Sequence, residues 1–270
     1  MAQMDGIIAV ITGGTQGLGA AIAALFAERG AAGIVICGRN ADKGEAVAAT
    51  INEKTGCDVR FVRADLASVE DCRNVIASAD AAFGRVDALV NAAGVTDRGN
   101  ILDTSPELFD LMFAINVRGP FFLMQETAKI MRREKIEGTI VNICSMSSLA
   151  GQPFIAAYCG SKAALATLTR NTGFAMMRDR IRVNGLNIGW MATEGEDRIQ
   201  REYHGADENW LEAAAAAQPF GRLIDPNEVA RSVAFLSSDE SGLMTGSMVN
   251  YDQSVWGSYE FAPPQPTKSL

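Results

Sequence analysis

In the stretch AAYCGSKAALATLTR, Tyr158 stands one helical turn before Lys162. A tyrosine hydroxyl ionises near pH ~10 in water, too high for efficient proton exchange near neutrality. A neighbouring ammonium favours the phenolate, so Tyr158 reads as a general acid/base and Lys162 as the group that lowers its pKa. The same spacing occurs on ordinary amphipathic helices. Chemistry therefore requires a cofactor, a third polar group and a shared pocket. The turn GGTQGLG answers the first requirement, because it follows the apolar run IIAVIT and opens an alanine-rich segment. A strand, a glycine-rich turn and a helix in that order can hold a dinucleotide pyrophosphate. Glycines admit close backbone approach, and a helix N-terminus offers free N–H groups and partial positive charge.

The rest of the chain has the rhythm needed to place these groups together. The runs 7–12, 33–38, 58–62, 87–92, 138–144 and 180–188 are short and apolar and read as buried strands. Between them, apolar residues recur every three or four positions, including one long helix over PELFDLMFAINVRGPFFLMQETAKIMRRE. Buried strands alternating with helices predict a doubly wound parallel sheet of Rossmann type in a single α/β domain. That domain spans 1–252, with a helical substrate lid over about 190–222 and a tail or arm over 253–270.

The spacing TGxxxGxG (Thr12, Gly13, Gly17, Gly19), then NAAG at 91–94, Asn116, Ser145 and YxxxK at 158–162, resembles the short-chain dehydrogenase/reductase family over residues 5–252. Ser145 is identified by its thirteen-residue interval to Tyr158, since Ser147 and Ser148 stand close by. The resemblance implies a hydride-transfer enzyme. In it Ser145 holds the substrate oxygen, Lys162 also bonds the nicotinamide ribose, and Asn116 positions a water linking Lys162 to solvent. A buried Asn116 bonded to backbone is the competing structural reading. The same resemblance places Gly13, Thr15, Gln16, Gly17, Leu18, Gly19, Asp65, Leu66, Asn91, Ala92, Gly94, Gly189, Met191 and Thr193 along the cofactor, with Asp65 on the adenine amino group.

The end of the second strand selects the cofactor. NAD-specific relatives usually carry an aspartate there for the ribose hydroxyls, and this chain has Gly38 followed by Arg39. An arginine pairs with a 2′-phosphate, so NADP is favoured, with NAD the alternative. Many NADP-dependent relatives have a second basic residue before the second motif glycine, where this chain has Gln16.

Two departures from the family pattern bear on the substrate. Ile188 replaces a proline in NIGWMAT, which implies a less rigid turn beside the nicotinamide. SMVNYDQSVWGSYEF replaces a common Asp-Gly pair after the last strand and brings Trp256, Tyr259 and Phe261 to a possible subunit boundary. The lid is rich in charge, from Glu194 to His204, and most of it reads as solvated helix. Trp190 or His204 is expected to line a pocket for a sugar, polyol or similar polar hydroxy compound.

Composition excludes several classes. The net charge of −8 argues against nucleic-acid binding. One histidine and five scattered cysteines, without ligand spacing, argue against a zinc site. The absence of a signal-like N-terminal pattern or a long apolar run predicts a cytoplasmic protein with no membrane partner. The resemblance implies a homotetramer or homodimer with a small-molecule substrate. The nearest rival is a 3-oxoacyl-carrier-protein reductase, for which Arg132, Arg133, Arg170 and Arg178 would form a docking surface beside the entrance. A non-catalytic nucleotide-binding regulator is the alternative of another class. Such proteins often lack the tyrosine or the lysine, and this chain has both.

Overall fold

A computed structural model describes residues 3–149 and 151–258. Seven parallel strands form one sheet: β1 Ile8–Thr12, β2 Gly33–Gly38, β3 Asp58–Arg63, β4 Ala88–Asn91, β5 Thr139–Ser145, β6 Arg182–Ile188 and β7 Met248–Tyr251. Their order is β3-β2-β1-β4-β5-β6-β7, so the winding reverses between β1 and β4. At such a reversal the connections leave in opposite directions, and a crevice opens beyond the carboxyl ends of the strands.

Helices α1 Gly17–Glu28, α2 Ala41–Thr55 and α3 Val69–Phe83 are the first three crossovers. Every residue of β1 is buried. Its alternation decides which layer each side chain joins: Ile11 packs with Ile22 and Phe26 of α1, whereas Val10 packs with Val75 and Ile76 of α3. Apolar side chains on both faces of β1 account for a sheet covered on both sides.

The long helix expected over 106–134 is interrupted. Helix α4 Pro106–Phe113 passes into a π-helical segment, Ala114–Arg118, before α5 Gly119–Glu134. Pro120 explains the break, since it has no N–H to give the carbonyl of Asn116 four residues earlier. The wider π turn bridges that gap, with the Gly119 N–H donating to the Ala114 carbonyl.

Helix α6 Ala156–Ala175 carries both Tyr158 and Lys162. After β6 come α7 Glu194–His204 and α8 Trp210–Ala216, which occupy the predicted lid, and then α9 Pro226–Ser237. The Ile188 turn is tied down without proline: Ile188 pairs with Tyr251, and the Gly189 N–H donates to the Tyr251 carbonyl at 3.0 Å. Trp256 is 56% exposed, and Tyr259 and Phe261 lie outside the described residues. Among the described residues no helix is long and apolar enough to cross a membrane, and no His/Cys/Asp/Glu group could hold a metal ion.

Candidate active site

A cleft of about 570 Å³ opens at the carboxyl ends of the strands. It is lined by Gly13, Thr15, Gln16, Gly17, Leu18, Gly19, Arg39, Asp65, Leu66, Ala92, Gly94, Ser145, Tyr158, Lys162, Gly189, Met191 and Thr193. Of the predicted catalytic and cofactor-binding residues, only Asn91 and Asn116 fall outside that lining.

The glycine turn is built to accept an anion. Gln16 is the N-cap of α1 and gives no side-chain cap. The N–H groups of Gly17, Leu18 and Gly19 have no acceptor among the described residues. Unpaired N–H groups at a helix start, with the dipole behind them, fit a pyrophosphate. A Cβ at Gly19 would lie 2.3 Å from the Gly13 carbonyl oxygen, so only glycine allows this fold-back of the turn. The residues present therefore fit a dinucleotide.

Gly38 has a further consequence. A Cβ there would meet the Thr15 methyl at 2.7 Å, which leaves no room for the aspartate of NAD-specific relatives unless Thr15 shifts. Arg39 stays exposed and its side chain makes no hydrogen bond or ion pair among the described residues. Asp65 is also exposed and accepts the Ala67 N–H at 3.0 Å through one carboxylate oxygen.

At the other end of the cleft Ser145 ends β5, Tyr158 lies in the first turn of α6, and Lys162 follows one turn later. Tyr158 and Ser145 line the same end of the cleft, near enough for Ser145 to favour the ionised tyrosine, and Ser145 Oγ accepts the Ser147 N–H at 3.1 Å. Lys162 is 4% exposed, and its ammonium donates to the Ile143 carbonyl at 2.8 Å and lies 5.8 Å from the centre of the Tyr158 ring. A Cβ on Gly94 would come within 3.3 Å of it, so glycine lets the β4 loop pass directly over the ammonium.

The expected tuning of Tyr158 needs correcting for the free protein. Burial dominates and pushes the hydroxyl from 10.0 up to about 12, partly offset by nearby Ser145, which favours the ionised form. Lys162 is itself desolvated, and burial lowers its pKa. Tyr158 is thus held protonated, in the form that donates a proton.

Asn116 and Asn91 act from behind the cleft. The Asn116 amide donates to the Val95 carbonyl and to Ser161 Oγ and accepts the Val95 N–H, all at 3.0 Å. Ser161 Oγ in turn donates to the Tyr158 carbonyl at 2.8 Å. This matches the buried, backbone-bonded reading of Asn116, which pins the β4 loop to the Tyr158 turn. Asn91 donates to Asn142 Oδ1, and Asn142 donates to Thr169 of α6. That buried chain faces away from the cleft and steadies the Ala92–Gly94 loop only indirectly.

Lys43, Thr96 and Asp97 line the cleft without any signal in the sequence, and Glu196 and Arg198 line it although that stretch of the lid reads as solvated helix. Thr96 and Asp97 directly follow the NAAG turn, whereas Lys43 comes from α2 and Glu196 and Arg198 from α7. Trp190 lines the cleft as expected, stacks on Trp210 and donates its indole N–H to Glu196 at 2.8 Å. Gln200 donates to the same Glu196 oxygen at 2.7 Å. Tyr203 and Arg198 hold Asp97 at 3.0 and 3.5 Å, latching α7 to the β4 loop. His204 does not line the cleft; it accepts from Arg98 and packs edge-on against Phe154. Thr193 caps α7 by accepting the Glu196 N–H at 3.1 Å.

Cys144 and Cys159 flank the site. Burial pushes the Cys144 thiol up to about 11, unsuited to a nucleophile. The expected arginine surface does not adjoin the entrance. Arg132 and Arg133 lie where α5 gives way to β5, at the amino edge of the sheet, and pair with Asp179, Asp80 and Glu134. None of the four arginines lines the cleft.

A sheet reversing at β1, an uncapped glycine turn and a Ser–Tyr–Lys set at one cleft are the marks of a dinucleotide-dependent α/β oxidoreductase. A family model described as Enoyl-(Acyl carrier protein) reductase matches residues 13–254. The chain is 36% identical to an uncharacterized oxidoreductase of Thermotoga maritima, over 93% of this chain and 97% of that protein. It is 32% identical to the NADP-dependent (R)-specific alcohol dehydrogenase of Lentilactobacillus kefiri, over 91% and 94%. Among solved structures, L-sorbose reductase from Gluconobacter frateurii, complexed with NADPH and L-sorbose, matches with a TM-score of 0.89 at 28% identity, covering 96% of this chain and 100% of that one. The chain belongs to the short-chain dehydrogenase/reductase family.

Proposed function

We propose that this oxidoreductase interconverts a secondary alcohol and a ketone with NADP, on a sugar, polyol or similar polar hydroxy compound. The observation that carries the reading is the convergence of Ser145, Tyr158 and Lys162 in one cleft whose far end is the uncapped start of α1. When bound, NADP supplies or accepts the hydride. Gly13–Gly19 and Ala92–Gly94 hold it, and Arg39 meets its 2′-phosphate. Met191 and Thr193 meet the carboxamide end, and Asp65 the adenine.

In the reducing direction Ser145 holds the carbonyl oxygen, and the protonated Tyr158 gives that oxygen its proton as negative charge develops. Lys162 stabilises the phenolate left behind, and Asn116 fixes the turn that carries both. Oxidation runs the same proton transfer backwards. Substrate hydroxyls would meet Thr96, Asp97, Glu196 and Arg198, a polar wall supported by the similarity to L-sorbose reductase. Residues 190–222 act as a lid over this end.

The protein assembles as a homodimer or homotetramer. Support comes from Phe109, Leu111 and Phe121, exposed on α4 and α5, of which Leu111 and Phe121 line a mainly apolar groove with Phe113, Val117 and Leu168. The free cysteines among the described residues suit a cytoplasmic location.

The test is titration with NADPH and NADH, followed by a panel of sugars, polyols, simple secondary alcohols and oxoacyl thioesters. Tyr158→Phe is expected to bind NADPH normally and to lose turnover by about 10²–10⁴-fold. Full turnover in that variant, or turnover confined to oxoacyl thioesters, overturns the proposal.

A further inference from the structure

The adenosine end of the cleft holds a basic residue that the family pattern does not predict. Asn40 caps α2 by accepting the Lys43 N–H at 2.9 Å, which sets Lys43 one turn beyond Arg39 on the same side of the cleft. The Lys43 ammonium donates to Gln16 Oε1 at 3.3 Å. Gln16 is the position where many NADP-dependent relatives carry their second cation. Lys43 thus brings positive charge from α2 to a place where the glycine turn has none.

The same ammonium has a second partner. Glu194, the first residue of α7, lies 3.5 Å from it, and both side chains are more than half exposed. One cation therefore touches the cofactor turn and the start of the lid. Resting on the NADP reading, we propose that Lys43 is the second cation of the 2′-phosphate site. Glu194 competes with that phosphate for it, so NADP binding releases the first turn of the lid helix.

The energetics favour this exchange. An exposed ion pair is worth little, whereas an ammonium bonded to a phosphate of nearly two negative charges is a stronger, charge-assisted contact. Glu194 also repels a phosphate placed between Arg39 and Lys43. NADH lacks the phosphate and leaves the Lys43–Glu194 pair in place.

Dissociation constants for NADPH and NADH, measured by calorimetry on wild type, Lys43→Met, Glu194→Gln and Arg39→Asp, test the proposal without turnover. Lys43→Met is expected to weaken NADPH about tenfold and to leave NADH within about twofold. Glu194→Gln is expected to tighten NADPH by up to about fivefold, the ceiling for an exposed pair, and to leave NADH unchanged. Amide exchange in the first turn of α7 should be faster in the NADPH complex than in the NADH complex, and the difference should vanish in Glu194→Gln. Equal effects of Lys43→Met on both nucleotides, or weaker NADPH binding by Glu194→Gln, overturns the inference. If wild type prefers NADPH and Arg39→Asp alone abolishes that preference, the NADP reading survives while the role of Lys43 fails. A wild-type preference for NADH, or binding of neither, removes both.

Discussion

Replacing Asn116 by alanine tests whether this residue is a scaffold. The side chain makes three polar contacts at 3.0 Å, two with the Val95 backbone and one with Ser161. Each is worth roughly 1 kcal/mol net, so their joint loss should destabilise the fold by about 3 kcal/mol, less whatever water recovers at half-buried Val95. Urea unfolding with linear extrapolation measures this, as a lower midpoint at constant slope. Amide exchange adds a local readout, since the Val95 N–H loses its acceptor and should exchange faster, while the cores of β1 and β5 keep their relative protection. Turnover should fall as well, because Ser161 links Asn116 to the Tyr158 turn. A destabilisation below about 1 kcal/mol with unchanged Val95 exchange, alongside a large fall in turnover, would refute the scaffold reasoning. It would leave Asn116 acting on the proton path itself.

Two further outcomes are expected. In cofactor-free protein, the phenolate absorbance of wild type minus Tyr158→Phe should appear near pH 12 rather than near pH 10. A raised folded pKa means that stability is full below about pH 10 and is lost as pH rises through about 12, and Tyr158→Phe should remove that loss. A difference titration at or below pH 10 would restore Lys162 as the dominant influence. At the substrate end, Glu196→Gln should raise the Michaelis constant for polyols and ketoses by about three- to tenfold, the worth of roughly one hydrogen bond, with little change for a simple secondary alcohol. Equal changes for both would show that Glu196 only supports Trp190 and Gln200.

The short-range patterns of the chain were sufficient for much of this protein. Short continuous apolar runs gave six strands within two residues of their bounds, and the glycine turn and YxxxK placed the two ends of one cleft. Even the break in the central helix had a local cause in Pro120, read past because the apolar period continues across it. The polar residues behaved otherwise. Asn91 stands in the NAAG motif and yet turns into a buried amide chain, and His204 stands on the lid and yet faces Arg98. Lys43 reaches Gln16 across 27 residues, and Asp97 meets Tyr203 across 106. The direction of the Tyr158 pKa shift was reversed by burial, which sums over every atom that crowds the hydroxyl. Hydrophobic period and backbone chemistry are properties of neighbours along the chain, so the sequence alone determined the fold, the cofactor turn and the reacting pair. Desolvation and the pairing of long polar side chains depend on neighbours in space, so the pKa shifts of the pair, the wall facing the substrate and the second cation at Gln16 were decided only by the tertiary structure.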